Sequence, residues 1–487
     1  MDKDLVQSGI HRFTQISFFL NGEAKTLLIA PGLSSLDLLN KELHMYGTKC
    51  SCNEGDCGAC TVVLARAFEG SIIYEAVNSC LYPAARLHGK HLISIEGLSQ
   101  DEELHPIQKA ILDHHASQCG YCTPGFVMSM FALFASISNP DTQTIMAALE
   151  GNLCRCTGYQ SILEAAKELS ATHTPSDIVP KWCRDVEPLL FAFDAAPESL
   201  NRSTDRYYLV DNYYKACSIP ELKTLMAAHP DAALIAGGTD IMVQVNISRK
   251  QFHGLIDLGD IPELQKICLQ RDGLHIGAGV TYTQLMDSGI VRCDYPSLVE
   301  ISSLIASKQI RNFGTLAGNI ANASPVGDSL PLLLVYDAIL RLDAANEERL
   351  LPLKDFFLSY RKTALKAGEY IREIILPPLP RNAFIRVLKS AKRKSVDIAS
   401  VSSAIRIERD AACISRAVLA FGGVAATPVV SAVFAESMQR DPLPEALQLA
   451  AEVAAEFAPL SDVRGSAEYR KQMIINHVLT YLEEIHG

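Results

Sequence analysis

Eight of the fourteen cysteines in this 487-residue chain fall into two tight groups in its N-terminal third. The first group is Cys52, Cys57, Cys60 and Cys80, which reads C-x4-C-x2-C with a fourth cysteine after nineteen intervening residues. Four thiolates at this spacing hold a plant-type [2Fe–2S] cluster. The second group is Cys119-x2-Cys122 with Cys154-x-Cys156, a further set of four. Two such sets on one chain read as a wire for single electrons.

Eight cysteines could also make four disulfides or two zinc sites. The start, Met1-Asp2-Lys3-Asp4, lacks a basic stretch followed by an apolar run, so no secretory leader is expected, and disulfides are disfavoured without export. Zinc is the stronger rival, since C-x2-C pairs build zinc ribbons, as in a zinc-stabilised interaction protein. Against it stands the small-residue loop Asn53-Glu54-Gly55-Asp56 and Gly58-Ala59 around Cys57. Such a loop lets backbone N–H groups close over the sulfurs of a cluster. Cys50 would give C-x6-C and is expected to be a bystander.

These residues need elements to hold them. The length allows about three domains, each with its own core. Hydrophobic residues make up 48% and charged residues 20%, a globular composition. The net charge of −11 argues against a nucleic-acid surface. The longest apolar runs, Phe126 to Ile137 and Leu330 to Leu340, fall short of the roughly 20 residues that span a bilayer. A cytoplasmic protein without membrane contact is expected.

Ile16 to Leu20 and Thr26 to Ile29 read as strands joined by an Asn21-Gly22 hairpin turn, Leu36 to Leu43 as a helix, and Thr61 to Leu64 as a further strand. From 100 to 170 the pattern gives four helices in two pairs. Thr123 caps and Pro124 opens the second helix, and Asp141 caps the third. Each pair of cysteines then sits on an elbow between helices, and bringing the elbows together makes one four-thiolate site. His114 and His115 read as surface residues. The stretch from 171 to 208 lacks a period and reads as a linker, anchored by the single tryptophan, Trp182. Beyond it the pattern is α/β to about 370. After Pro377-Pro378-Leu379-Pro380, strands near Ser400–Ile407 and Ser415–Phe421 precede an Ala-rich helical tail.

In the α/β part, Leu234-Ile235-Ala236-Gly237-Gly238-Thr239-Asp240-Ile241 runs from a buried strand into two glycines, where a backbone can approach a pyrophosphate. A second such stretch runs from Asn312 through Gly314-Thr315 and Gly318-Asn319 to Ser324 and Asp328. Alone, each is a common glycine turn. Gly277-Ala278-Gly279 starts like a dinucleotide-binding fingerprint, but Tyr282 stands where its last glycine belongs, so it reads as structural.

Taken in order, these motifs resemble the molybdenum hydroxylases, and among them the small iron–sulfur/FAD subunit of a bacterial xanthine dehydrogenase. The resemblance runs over nearly all of residues 12 to 430. It implies a multidomain α+β chain: a plant-type ferredoxin β-grasp (12–95), a four-helix [2Fe–2S] bundle (96–171), a linker (172–208), a two-part α/β FAD-binding domain (209–378) and an α+β C-terminal flavoprotein domain (379–487). Leu234 to Ile241 would wrap the FAD diphosphate. Thr315, Asn319 and Asp328 would lie against diphosphate, ribose and adenine, with Gly318 and Ser324 nearby, and Ile371 and Lys389 would reach the adenine and isoalloxazine regions. Two positions depart from the family pattern: Ile305 stands where relatives carry a phenylalanine over the flavin ring, and Val396-Asp397 replaces two acidic residues.

The resemblance also implies a relay. Hypoxanthine and xanthine would be oxidised, to xanthine and urate, at a molybdenum cofactor on a separate, larger subunit, since no segment is left over for it here. Electrons would pass through the Cys119/Cys122/Cys154/Cys156 cluster, then the Cys52/Cys57/Cys60/Cys80 cluster, then FAD, to NAD+ as co-substrate. A heterotetramer of two small and two large subunits is expected, and no acid–base catalytic residue in this chain. A sister enzyme acting on aldehydes or N-heterocycles would share this wire, and a stand-alone flavin reductase would need no large partner.

Overall fold

The computed structural model describes residues 9–99, 103–193, 198–204, 209–345, 347–410, 413–440 and 444–486. The chain forms two compact units, one reaching to Leu258 and including Ala306–Gly314, the other made of Gly259–Ile305 and the chain from Thr315 on.

In the first unit, strand Gly9–Leu20 turns at Asn21 and Gly22 into Glu23–Ile29. Both turn residues have positive φ, 49° and 91°, the type I′ geometry that Asn-Gly favours. The sheet continues through His91–Ile93, Thr61–Phe68 and Ser71–Asn78, and only the pairing of the first strand with His91–Ile93 is parallel. A helical turn, Ser35–Asp37, running on into a wider turn, Leu38–Glu42, covers the sheet with Leu36, Leu38 and Leu39. This is the β-grasp plan.

Strand Thr61–Phe68 shows how two domains share one sheet. Val62 and Leu64 join a core with Ile16, Phe18 and Leu39, while Val63 and Ala65 point the other way, onto Phe126 and Phe131. Successive side chains face opposite sides of a strand, so burial on both sides gives an unbroken apolar run. Phe126 and Phe131 belong to helix Thr123–Ser136, which is buried from Gly125 to Phe134 and carries no polar face. Helices Pro106–Asp113, Thr142–Leu149 and Gln160–Thr172 complete the bundle. Asp141 caps as expected, accepting from the Thr144 N–H at 2.8 Å. The cap expected at Thr123 falls one residue earlier, on Cys122, and the Thr123 hydroxyl instead meets Ser117 at 2.8 Å.

The stretch expected to lack structure between 172 and 208 differs most. It forms helices Pro175–Ile178 and Lys181–Leu190 and a strand, Glu198–Thr204, which pairs with Gly9–Gln15. Cys183, Val186 and Leu190, spaced for one helix face, are buried in the same core as Phe131. The prolines punctuate short helices here rather than abolishing them. Trp182 packs against Gly22 and edge-on to His91. Residues 194–197 and 205–208 of this stretch, Pro197 among them, lie outside the described residues.

The unit closes with a small parallel sheet in the order Tyr213–Lys215, Leu255–Asp257, Ala233–Ile235, flanked by helices Ile219–Ala228 and Ile241–Asn246. Helix Lys308–Arg311 of the returning segment also belongs to it.

The second unit is built on two antiparallel sheets. One runs Ile267–Gln270, Gly273–Gly277, Tyr370–Leu376, Ile339–Asp343, Glu348–Pro352. The other runs Phe384–Ser390, Val401–Asp410, Cys413–Gly422, Val429–Val430 and is covered by helices Ala446–Glu456 and Ala467–His486. The N–H groups of Gly277, Ala278 and Gly279 are all committed to backbone carbonyls, of Lys266, Arg372 and Leu264, which agrees with a structural reading of that motif. No helix among the described residues is long and apolar enough to cross a membrane.

Candidate functional site

The first cysteine set lies on a loop whose backbone curls by three positive-φ residues, Asn53 (59°), Gly55 (88°) and Gly58 (67°). Glycine takes this conformation without a side-chain clash. The curl turns the N–H groups of Glu54, Asp56 and Cys57 onto the Cys52 sulfur, and that of Gly55 onto the Cys80 sulfur. The Cys60 and Cys80 sulfurs lie 3.3 Å apart, with the Asn78 amide 3.8 Å from Cys60, and Cys52 meets Cys57. The neighbouring Cys57 thiol and these N–H groups hold Cys52 down at about 5, against the cost of its burial. Cys57 and Cys80 are pushed up, each by its partner sulfur and by burial. Cys60 is held down by its contact with the Cys80 sulfur, against burial.

The second set gathers from the two elbows between helices. Cys119 and Cys156 approach to 3.7 Å, and Cys122 meets Cys154. Thr157 places its hydroxyl 3.2 Å and its N–H 3.5 Å from the Cys154 sulfur, and these hold that thiol down against burial. Cys122 is pushed up to about 12 by burial and by the Cys154 sulfur. In both sets the sulfurs meet two by two, the arrangement in which each of two irons takes two thiolates. The residues present fit a dinuclear cluster at each set. Cys50 is exposed, and its carbonyl accepts a hydrogen bond from the Tyr121 hydroxyl.

The residues expected to contact FAD divide between the two units. In the first, Ile235 ends a strand, and Gly237 and Gly238 turn the chain into the helix that starts at Ile241. A Cβ on Gly237 would fall 1.9 Å from the Phe313 carbonyl oxygen, and Gly238 has φ 87°. Neither position tolerates a side chain: Gly237 lets the turn pack on the Phe313 backbone, and Gly238 takes the left-handed conformation that glycine adopts without a clash. Beneath it, Arg86 donates to the Gly237 carbonyl at 3.1 Å and lies 3.2 Å from Asp257, which accepts a 2.6 Å bond from Tyr213. Leu234, Ala236, Thr239 and Asp240 flank this turn. Sequence reasoning missed Arg86, Tyr213 and Asp257, because no local spacing links them to the glycines.

In the second unit, Thr315 caps helix Leu316–Asn322 by accepting from the Gly318 N–H at 3.0 Å. Asn319 accepts from Ser329 at 2.8 Å, and Ser324 lies on the loop that follows. The Asp328 side chain, 9% exposed, sits beside Lys389, whose ammonium lies 2.7 Å from one carboxylate oxygen and donates to the Leu304 carbonyl at 2.7 Å. Burial raises the Asp328 carboxyl above the usual range, with Lys389 opposing. Its other oxygen, Oδ1, has no hydrogen-bond partner among the described residues. A buried acceptor left open fits a donor group of a nucleotide. Ile371 is buried on strand Tyr370–Leu376, and Ile305 follows Leu304. Val396 holds φ 53°, a strained backbone for a β-branched residue.

Four family models match the chain in sequence order: a 2Fe-2S iron-sulfur cluster binding domain over 18–84, a [2Fe-2S] binding domain over 94–167, the FAD binding domain in molybdopterin dehydrogenase over 203–379 and the CO dehydrogenase flavoprotein C-terminal domain over 386–485. Xanthine dehydrogenase of Blastobotrys adeninivorans is 30% identical over 98% of this chain and 41% of its own length. Xanthine dehydrogenase 1 of Arabidopsis thaliana is 31% identical over 95% and 39%. The chain thus spans about two fifths of these relatives. Among solved structures, a chain of carbon monoxide dehydrogenase from Hydrogenophaga pseudoflava matches with TM-score 0.52 and 29% identity, over 55% of this chain and 94% of that one. Quinoline 2-oxidoreductase from Pseudomonas putida 86 shares the fold, with TM-score 0.52 and 23% identity over 56% and 95%. With the cysteine pairs and glycine turns already placed, the chain belongs to the molybdenum hydroxylase family, of which it carries the two iron–sulfur domains and the FAD-binding and flavoprotein C-terminal domains.

Proposed function

We propose that this chain is the electron-transfer part of a cytoplasmic xanthine dehydrogenase, with NAD+ as acceptor and its molybdenum cofactor on a larger partner subunit, two of each forming a heterotetramer. The observation that carries the reading is the double set of sulfur pairs, each with N–H or hydroxyl donors aimed at it. When bound, two [2Fe–2S] clusters would supply one-electron steps and FAD the conversion to a hydride pair. Cys52, Cys57, Cys60 and Cys80 hold the first cluster, and Cys119, Cys122, Cys154 and Cys156 the second. The turn from Leu234 to Ile241, held by Arg86, binds the FAD diphosphate, while Thr315, Gly318, Asn319, Ser324, Asp328, Ile371 and Lys389 contact the rest of the cofactor, with Ile305 near its ring. We assign the domains as 12–95, 96–171, 209–378 and 379–487, with 172–208 connecting them.

Xanthine as substrate is supported by the curated relatives, which are xanthine dehydrogenases over 95–98% of this chain. Division into subunits is supported by the carbon monoxide dehydrogenase match, where just over half of this chain covers 94% of a separate chain. Ile305 and Val396 make the acceptor the point to test. The isolated chain should pass electrons from NADH to an artificial dye and leave xanthine untouched. Absence of flavin bleaching on rapid mixing with NADH would assign another acceptor, and xanthine turnover by this chain alone would sink the two-subunit reading.

A further inference from the structure

Asn152 lies on the turn after helix Thr142–Leu149, two residues before Cys154, and is 2% exposed. Its amide nitrogen donates to the Gly58 carbonyl at 3.0 Å and to the Thr61 hydroxyl at 3.3 Å. Its amide oxygen accepts from Ser129 at 2.7 Å and from Gln309 at 2.9 Å. Gly58 stands between Cys57 and Cys60, Ser129 is on the helix that follows Cys122, and Gln309 belongs to the returning Ala306–Gly314 segment, within the match to the FAD-binding model. One buried side chain thus bonds to the first cysteine loop, to the second cysteine domain and to a piece of the flavin domain. The neighbouring residue adds a backbone link, the Leu153 N–H donating to the Cys57 carbonyl at 3.0 Å.

Few side chains could do this. A primary amide combines two donors with an acceptor and carries no charge. Aspartate would lose both donors, and leucine all four bonds, leaving Gly58, Thr61, Ser129 and Gln309 to lose a buried partner. The fit is close on every side. A Cβ on Gly58 would come 2.4 Å from the Gly151 carbonyl oxygen, one on Gly151 2.1 Å from the Gln309 amide oxygen, and one on Gly125 2.3 Å from the Gly58 carbonyl oxygen. Electron tunnelling weakens steeply with distance, so the gap between two clusters is a quantity such a fold has to hold.

We propose that Asn152 is a positioning residue that sets the separation of the two cluster sites and ties the Ala306–Gly314 segment to both. This rests on reading the cysteine sets as [2Fe–2S] ligands. Asn152 itself touches no cluster sulfur.

The test uses the full chain and the magnetic interaction between its two reduced clusters, seen as splitting or broadening in EPR. Asn152→Leu removes the four bonds, and Gly125→Ala wedges the same loops apart while leaving the amide in place. In both, iron content should match the unsubstituted chain while the splitting narrows or is lost. Gln309→Met, which frees only the flavin-domain segment, should change it less. Unchanged splitting at full iron content overturns the proposal, as does an unsubstituted chain with iron but no interaction. Loss of a cluster in Asn152→Leu and Gly125→Ala alike also overturns it, since these residues would then support ligand binding rather than spacing. If Asn152→Leu does not fold, Gly125→Ala and Gln309→Met decide. A chain that takes up no iron would instead defeat the cluster reading.

Discussion

Cys50 and Cys52 are two residues apart, yet only Cys52 receives three backbone N–H groups, while Cys50 is exposed. Cys50→Ser should leave iron at about four per chain, and Cys52→Ser should lose one cluster signal and keep the other. Retention of both signals in Cys52→Ser with loss of one in Cys50→Ser would exchange the ligand assignment. In the second unit, Lys389→Met would strand the buried Asp328 carboxylate. The expected cost is about 3 kcal/mol, seen as a lowered unfolding midpoint and recovered in part when Asp328→Asn accompanies it. The two cysteine sets stand out in sequence because their members cluster along the chain and their spacing matches a known chemistry. Asn152, Gln309 and Arg86 do not. Their partners lie 94, 157 and 151 residues away, and nothing in the local sequence separates them from ordinary polar residues.

At the scale of elements, the hairpin turn, the β-grasp strands and the four bundle helices were readable from period, Asn-Gly and helix caps. Helix Lys181–Leu190 was hidden by Pro180 and Pro188, although its buried face, Cys183, Val186 and Leu190, has helical spacing. Helix Leu316–Asn322 ends on Ala323 in the left-handed conformation, φ 50°. Glycine relieves that strain, so Ala323→Gly should stabilise the chain by about 0.5–1 kcal/mol, measurable as a rise in midpoint. Helix Ala467–His486 is fastened to its sheet through His477, bonded to Ser390 at 2.8 Å and to Ser403 at 2.7 Å. Burial holds the His477 imidazole down at about 4, against 6.5 when exposed. The unfolded chain therefore takes up a proton that the folded chain refuses between these values. Stability is full above about pH 6.5 and is lost as pH falls towards 4. His91, also held down at about 4 by burial, adds a loss of the same sign in the first unit. Comparing His477→Gln with the unsubstituted chain isolates one of the two. The variant should show a shallower fall in midpoint over this window, and an equal fall would remove His477 from the account.

For the whole molecule, what could be read from sequence was the order of parts: two cysteine sets, then two glycine turns. Their division into units was not, since the Ala306–Gly314 segment rejoins the first unit from within the second by long-range contacts alone. On the reading proposed above, one chain carries two different [2Fe–2S] clusters with a flavin. Iron and flavin analysis together with EPR of the reduced, purified chain tests it most directly. About four irons and one FAD per chain are expected, with two distinguishable signals integrating to about two spins, because one set lies in a sheet loop and the other among helices. A colourless protein holding zinc, or a single signal of one spin, would contradict it.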